Sequence, residues 1–215
     1  MIDQSGRPGW ANMAIDQGLL DLAEATGSSF LRLYRWDPPC LSFGRNEAAL
    51  RRYDRARIGA LAVATVRRPT GGRAVWHAGE LTYAVAAPIE SFGSLPAAYR
   101  EIHEMVAAAL RLLGAAPVLA PSASRTPSLE AGACFARPVG GEVLVQGHKV
   151  VGSAQLRQGA AFLQHGSLLL EGDQEPITAL SLGEAQAGRA GGGSLSRLLG
   201  RRIEFDAAAT ALSAA

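Results

Sequence analysis

The sequence predicts an α+β fold, a mixed and largely antiparallel sheet flanked by helices. Three observations predict it. The first regular segment, Trp10 to Ala25, carries apolar residues at helical spacing. From Ser28 to Leu170 the chain is dominated by short apolar runs bounded by Gly and Pro, the pattern of strands. The remaining helical stretches fall irregularly among those runs, which argues against strict strand–helix alternation.

Each element follows from local chemistry. In Trp10–Ala25, Met13, Ile15, Leu19, Leu20, Leu22 and Ala23 are apolar, with Asp16, Gln17, Asp21 and Glu24 between them. Ser28 to Trp36 alternates apolar and basic residues, as an edge strand does. Asp37-Pro38-Pro39 is a turn and Cys40 to Gly44 a short buried strand. Asn46 can cap a helix over Glu47 to Arg57. Ala62 to Arg67 reads as a strand; Ala74 to His77 and Leu81 to Ala87 read as a hairpin around Ala78-Gly79. Ser94 caps a helix with Pro96 in its first turn, running to Leu113 and stopped by Gly114. Ala115 to Pro138 is a long loop, a kind of segment that often carries function. Glu142 to Gln146, Lys149 to Arg157 and Phe162 to Leu170 form an expected three-stranded meander with turns at Gly147 and Gly159. Gln186 to Ser194 is glycine-rich and reads as a linker. Short helices are expected over Ser194–Leu199 and Asp206–Leu212. The division is a catalytic-type domain over 1–185 and, over 186–215, a linker with a short helical tail that reads as truncated.

Composition bounds the function. A chain of 215 residues, 48% hydrophobic and 19% charged, suits one folded domain and not a disordered segment. The formal net charge is +2, with no basic stripe interleaved with aromatics, so nucleic acid is not an expected partner. The longest apolar runs are too short to span a bilayer, and the N-terminus lacks a basic start followed by an apolar core. Neither a membrane nor a secretory signal is expected, and the cytoplasm, with reduced thiols, is the expected location. No His, Cys or acidic residues stand at zinc-ligand spacing, so no metal is expected.

Four segments carry chemistry. In Arg68-Pro69-Thr70-Gly71-Gly72-Arg73-Ala74-Val75-Trp76-His77, the glycine pair allows close backbone approach to a ligand, and Arg68, Thr70 and backbone N–H groups suit an anionic or carbonyl oxygen. The same pattern also occurs as an ordinary glycine-rich turn. Cys134 lies in the long loop and reads either as a buried small hydrophobe or as a nucleophile; Cys40, in strand context, reads as a core thiol. Lys149 is the chain's only lysine. At a strand start it is ordinarily solvated, but an ammonium beside a thiol lowers the thiol pKa. Gly152-Ser153-Ala154 is a run of small residues that leaves room over a sheet. His165-Gly166-Ser167 sits between apolar strand residues, where a packing or binding role outweighs catalysis. His77 reads the same way.

Together these segments resemble the lipoate-attachment superfamily of biotin ligases, lipoate–protein ligases and octanoyltransferases. The likeness rests on RRPTGGRAVWH, ELTYAV, GHKVVGSAQLRQ and LQHGSLLL in that order, with NMAIDQGLL and RLYRWDPPCLSFGR before them. It is nearest to octanoyltransferases of the LipM type, in which a Cys-Phe pair precedes the lysine motif as Cys134-Phe135 does here. The resemblance implies the biotin/lipoate ligase catalytic-domain fold. It implies transfer of an octanoyl group from acyl carrier protein, through a thioester on Cys134, to a lysine of a lipoyl domain on glycine-cleavage H protein or an E2 subunit. Lys149 would lower the thiol pKa. Residues 70–77, 152–154 and 165–167 would line the acyl site. A thioester donor is already activated, so no cofactor is expected.

Three other readings stay open. One is amidotransfer between lipoyl domains by the same cysteine logic. Another is ATP- and Mg-dependent lipoate ligation, against which Arg73 stands where those ligases carry a third glycine. The last is a non-catalytic acyl or lipoyl-domain binder.

Overall fold

A computed structural model describes residues 1–121, 141–182 and 193–215. Its centre is a five-stranded sheet in the order β1-β2-β6-β11-β10. The members are β1 (Ile2–Arg7), β2 (Phe30–Trp36), β6 (Glu80–Pro88), β10 (Val151–Gln158) and β11 (Ala161–Leu169). Only β1–β2 is parallel; β2–β6, β6–β11 and β10–β11 are antiparallel. The mixed, mainly antiparallel sheet is thus as expected.

Both faces of the sheet are covered, which is why β6 and β11 are buried along their whole length apart from a partly exposed Val85. On one face lies α1 (Gly9–Thr26), which buries Met13, Asp16, Leu20 and Ala23 on one side and ends at Gly27 in the left-handed conformation. On the other lies α4 (Leu95–Leu112), whose N-cap Ser94 accepts a hydrogen bond from the backbone N–H of Ala97. Ile102, Val106 and Leu110 of α4 meet Leu33, Tyr83 and Phe162 of the sheet. The C-terminal helices α6 (Leu195–Leu199) and α7 (Phe205–Ala214) join the same cluster through Leu195, Phe205, Ala208 and Ala209.

Two small sheets sit beside the large one. β4 (Ala64–Arg67), β3 (Cys40–Phe43) and β5 (Val75–His77) form one. β7 (Pro117–Leu119), β8 (Val143–Val145) and β9 (His148–Lys149) form the other.

Several expectations are corrected. A strand, β1, precedes the first helix; Ile2–Arg7 has one apolar residue, so nothing in it alternates. The helix expected over Glu47–Arg57 is two short ones, α2 (Ala49–Arg52) and α3 (Arg55–Ala60). Tyr53 is extended between them, where it bridges to Ser181, and Asp54 caps α3. The expected hairpin of β5 with β6 does not form, because β5 pairs with β3 and turns away from the large sheet. The three-stranded meander divides too. β8 and β9 belong to the second small sheet, and only β10 and β11 pair in the large one. The expected loop begins with β7, its positions 122–138 and positions 186–192 of the expected linker lie outside the described residues, and α5 (Glu175–Leu180) is an additional helix.

Candidate acyl-binding site

The site lies where the glycine-rich segment after β4 crosses the α1 face of the large sheet. That crossing is close. A Cβ on Gly44 would stand 1.9 Å from the carbonyl oxygen of Gly72, so the two backbones meet with no room for a side chain. The Thr70 carbonyl accepts from the Arg45 N–H at 2.8 Å, and Arg68 clamps the turn from inside. Its guanidinium donates to the Ser42 carbonyl (3.0 Å), the Gly71 carbonyl (3.1 Å) and the Arg73 carbonyl (2.9 Å).

A cavity of about 30 Å³ opens between this turn and the sheet. Of the residues expected there, Arg68, Gly72, Val75, His77, Gly152, Ser153, Ala154, His165, Gly166 and Ser167 line it. Met13, Tyr34, Trp36 and Thr82 line it as well and escaped sequence reasoning. Gly71, Thr70, Arg73, Ala74 and Trp76 are not on the wall. Thr70 is one layer back, bonded to His165. Trp76 alternates with Val75 and His77 and packs on the other side of β5, against the cluster of Leu41, Tyr53 and Ile177. Gln174 holds that face by accepting from the Trp76 N–H (2.9 Å) and donating to its carbonyl (2.8 Å).

Many lining residues are polar, yet their polar atoms are turned inward to one another. Ser42 pairs with His77 Nε2, and His77 Nδ1 lies 2.6 Å from Glu80 Oε1. That oxygen also accepts from Thr82 (2.6 Å) and Ser167 (2.9 Å), while Trp36 Nε1 donates to Thr82 Oγ1 (2.8 Å). Burial pushes the His77 pKa down, with Glu80 pulling against it, so the ring is a neutral donor to the carboxylate. The second array centres on Asp16. It accepts from Arg32 (2.9 Å) and Tyr34 (2.7 Å) and faces His165 Nδ1 at 3.1 Å, while His165 Nε2 meets Thr70 Oγ1. Both nitrogens of each histidine are therefore occupied by protein groups. Neither ring has a lone pair aimed at a ligand, and the rings present carbon surfaces. His77 stacks on Trp36 with centroids 3.8 Å apart. The wall is chemically apolar although its residue names are not, as a hydrocarbon tail needs.

Lys149 stands apart from this wall, in β9 at the mouth of β10. It is 3% exposed, and its Nζ lies 2.6 Å from Glu142 Oε1. The hairpin through Gln146 and Gly147 pairs Leu144 with Lys149 and so folds Glu142 back over the lysine. The solvated reading of Lys149 is thus replaced by a buried ion pair. Glu142 was not singled out by sequence. Its signal was the tight turn between the two residues. Cys134 lies outside the described residues. Cys40, the other cysteine, is buried and its thiol is pushed up to about 12 by burial and by Glu80, as a core thiol would be. No group of His, Cys, Asp and Glu among the described residues could hold a metal ion, and no described helix is long and apolar enough to cross a membrane.

A two-faced, mainly antiparallel sheet with a glycine turn over an apolar slot is the fold of lipoate ligase catalytic domains. More narrowly, the chain belongs to the lipoyl protein ligase A/B catalytic domain family, which it matches over residues 8–215. It is 42% identical over 179 residues to octanoyltransferase LipM of Kyrpidia tusciae, covering 79% of this chain and 65% of that protein. It is 38% identical to octanoyltransferase LipM of Geobacillus kaustophilus, over 83% of this chain and 68% of that one. The chain thus spans about two thirds of the length of these relatives. Among solved structures, lipoate-protein ligase A bound with ATP superposes with a TM-score of 0.74 at 20% identity, over 98% of this chain and 81% of that one. The bipartite lipoate protein ligase of Thermoplasma acidophilum superposes with a TM-score of 0.72 at 20% identity, over 99% and 80%. At that identity the superpositions speak for the fold.

Proposed function

We propose that this protein is an octanoyltransferase that moves an octanoyl group from acyl carrier protein to a lysine of a lipoyl domain. The observation that carries the reading is the 42% identity to an octanoyltransferase LipM. The apolar slot is what an acyl tail requires, and the buried ion pair of Lys149 with Glu142 holds an amine for the transfer.

In this reading the Cys134 thiolate attacks the thioester carbonyl of the donor. A carbon–sulfur bond to Cys134 forms, the bond to the pantetheine sulfur breaks, and the departing thiolate takes a proton from the Lys149 ammonium. The acceptor amine then attacks the acyl-enzyme. An amide bond forms, the Cys134 sulfur leaves as thiolate, and the amine's proton returns to Lys149. Glu142 keeps the Lys149 side chain in place through the buried ion pair. The energy of the thioester carries both steps, so the proposal needs neither ATP nor metal. β10 is an edge strand of the large sheet, so alternate backbone N–H groups face away from its ladder. Those near Gly152 can donate to the tetrahedral oxyanion.

Incubation with octanoyl-acyl carrier protein, read by intact mass, tests the reading. A hydroxylamine-sensitive octanoyl adduct that Cys134→Ala abolishes is the expected result. An ATP-dependent product that survives Cys134→Ala overturns it in favour of ligation, and binding without any adduct overturns it in favour of a non-catalytic binder. Offering H protein and E2 lipoyl domains separately identifies the acceptor, and octanoyl moved from H protein to E2 without acyl carrier protein marks amidotransfer.

A further inference from the structure

His103, on α4, is fully buried and takes no part in the chemistry above. Its Nδ1 lies 2.7 Å from the Gly141 carbonyl oxygen and its Nε2 lies 2.8 Å from Ser153 Oγ. A carbonyl only accepts, so Nδ1 carries the proton. Burial pushes the His103 pKa down to about 4, and the Lys149 charge pushes the same way. The ring is neutral, and Nε2 accepts from Ser153. The remaining protons then have one arrangement. Tyr83 donates to Ser153 Oγ (2.7 Å), Gln164 donates to Tyr83 (3.2 Å), and Gln155 donates to Gln164 (2.8 Å). Gly166 makes room for the chain, since a Cβ there would stand 2.5 Å from Ser153 Oγ and 2.7 Å from the Tyr83 ring.

The two ends of this chain matter for different reasons. Ser153 lines the acyl cavity. Gly141 is joined by its own peptide bond to Glu142, the partner of Lys149. The same backbone is tied to Ala120, whose N–H donates to the Glu142 carbonyl and whose carbonyl accepts from Gly141, both at 2.8 Å. The Tyr99 ring stands edge-on to His103, with centroids 4.2 Å apart, and keeps the imidazole upright.

We propose that His103 is a positioning residue for acyl transfer. Its imidazole ties the wall of the acyl cavity to the Gly141–Glu142 peptide, and so holds the Glu142 carboxylate against Lys149. The inference rests on the reading that Lys149 serves the transfer, but its test does not need activity. Lys149 is the only lysine in the chain, so protein labelled with 13Cε-lysine gives one side-chain signal from one site.

His103→Asn keeps an amide N–H at the position that serves Gly141. His103→Gln moves that N–H outward toward Ser153 and leaves Gly141 unbonded. His103→Ala removes both contacts. In folded Ala and Gln variants the lysine signal is expected to move toward that of a solvated lysine, while in the Asn variant it stays near its wild-type position. The kcat for octanoyl transfer falls by about tenfold in the first two with KM for the donor nearly unchanged, the loss expected for one buried hydrogen bond; Asn restores most of it. If the Ala variant does not fold, the Asn and Gln pair decides. A lysine signal unmoved in folded Gln and Ala variants overturns the inference. If wild-type protein transfers nothing, the octanoyl reading fails while the lysine signal still decides the role of His103.

Discussion

Glu142 Oε1 and Lys149 Nζ stand 2.6 Å apart with side chains only 4% and 2% exposed. Two charges so far from water are held there by their mutual attraction, and removing either breaks a buried ion pair. Glu142→Gln keeps the shape and removes the charge. In the proposed transfer it is expected to slow acylation of Cys134 by about tenfold, the order of one lost charge-assisted hydrogen bond. Lys149→Ala is expected to slow it much further. Intact-mass time courses with octanoyl-acyl carrier protein measure both, and an unchanged rate in Lys149→Ala removes the amine from the mechanism. The buried thiol of Cys40 leaves the Cys134 adduct unobscured.

What the sequence disclosed and what it hid divide along a physical line. α1 and α4 are legible because their apolar spacing is local, and the Gly71-Gly72 turn because its residue types are confined to turns. The Asp16 array was not legible. Asp16 and His165 are 149 positions apart and meet only because α1 lies across β11. β5 and β6 look like a hairpin because Ala78-Gly79 is good turn chemistry, yet a turn does not say which sheet each arm joins. Ile2–Arg7 becomes a strand by pairing with β2 and not by its own pattern. Trp36, Met13 and Thr82 reach the cavity from elements whose periodicity shows only that those positions face inward.

Asp16 carries the largest structural prediction. It is fully buried and accepts from Arg32, Tyr34 and one ring nitrogen of His165. Asp16→Ala strands the Arg32 guanidinium in the core, a change that costs about 3–5 kcal/mol when a buried pair is broken. The expected result is a large fall in the denaturant midpoint at unchanged slope. A loss under 1 kcal/mol would show that the array contributes little to folding.

His103 should print itself on the pH dependence of stability. Its pKa is about 4 in the folded protein against 6.5 for the free side chain. Between those values the unfolded chain binds the proton and the native one does not. The stabilisation is therefore complete above pH 6.5 and is lost as pH falls toward 4, up to about 3 kcal/mol for this single site. The groups that face His103 are Tyr99, the Ser153–Tyr83 pair and the Glu142–Lys149 pair. His103→Asn should flatten the fall in unfolding free energy between pH 6.5 and 4. Equal slopes in wild type and variant would assign the acid sensitivity to the carboxylates.

In the proposed transfer, Met13 is expected to control acyl length. It lines the cavity from α1. The wall opposite is set by paired groups: Trp36 on His77, His77 on Glu80, and His165 on Asp16. Each of those moves only by breaking a buried hydrogen bond or a ring stack. Met13 is unbranched, flexible and held by packing alone, so it is the lining side chain that yields at least cost. Met13→Ala should then favour longer chains, because each further methylene buried contributes about 0.8 kcal/mol. Comparing kcat/KM for octanoyl and decanoyl donors, the ratio is expected to move toward decanoyl by about tenfold, the value of two methylenes. Met13→Phe should move it the other way, toward hexanoyl. A ratio indifferent to both substitutions would place the end of the acyl chain somewhere other than the floor beneath α1.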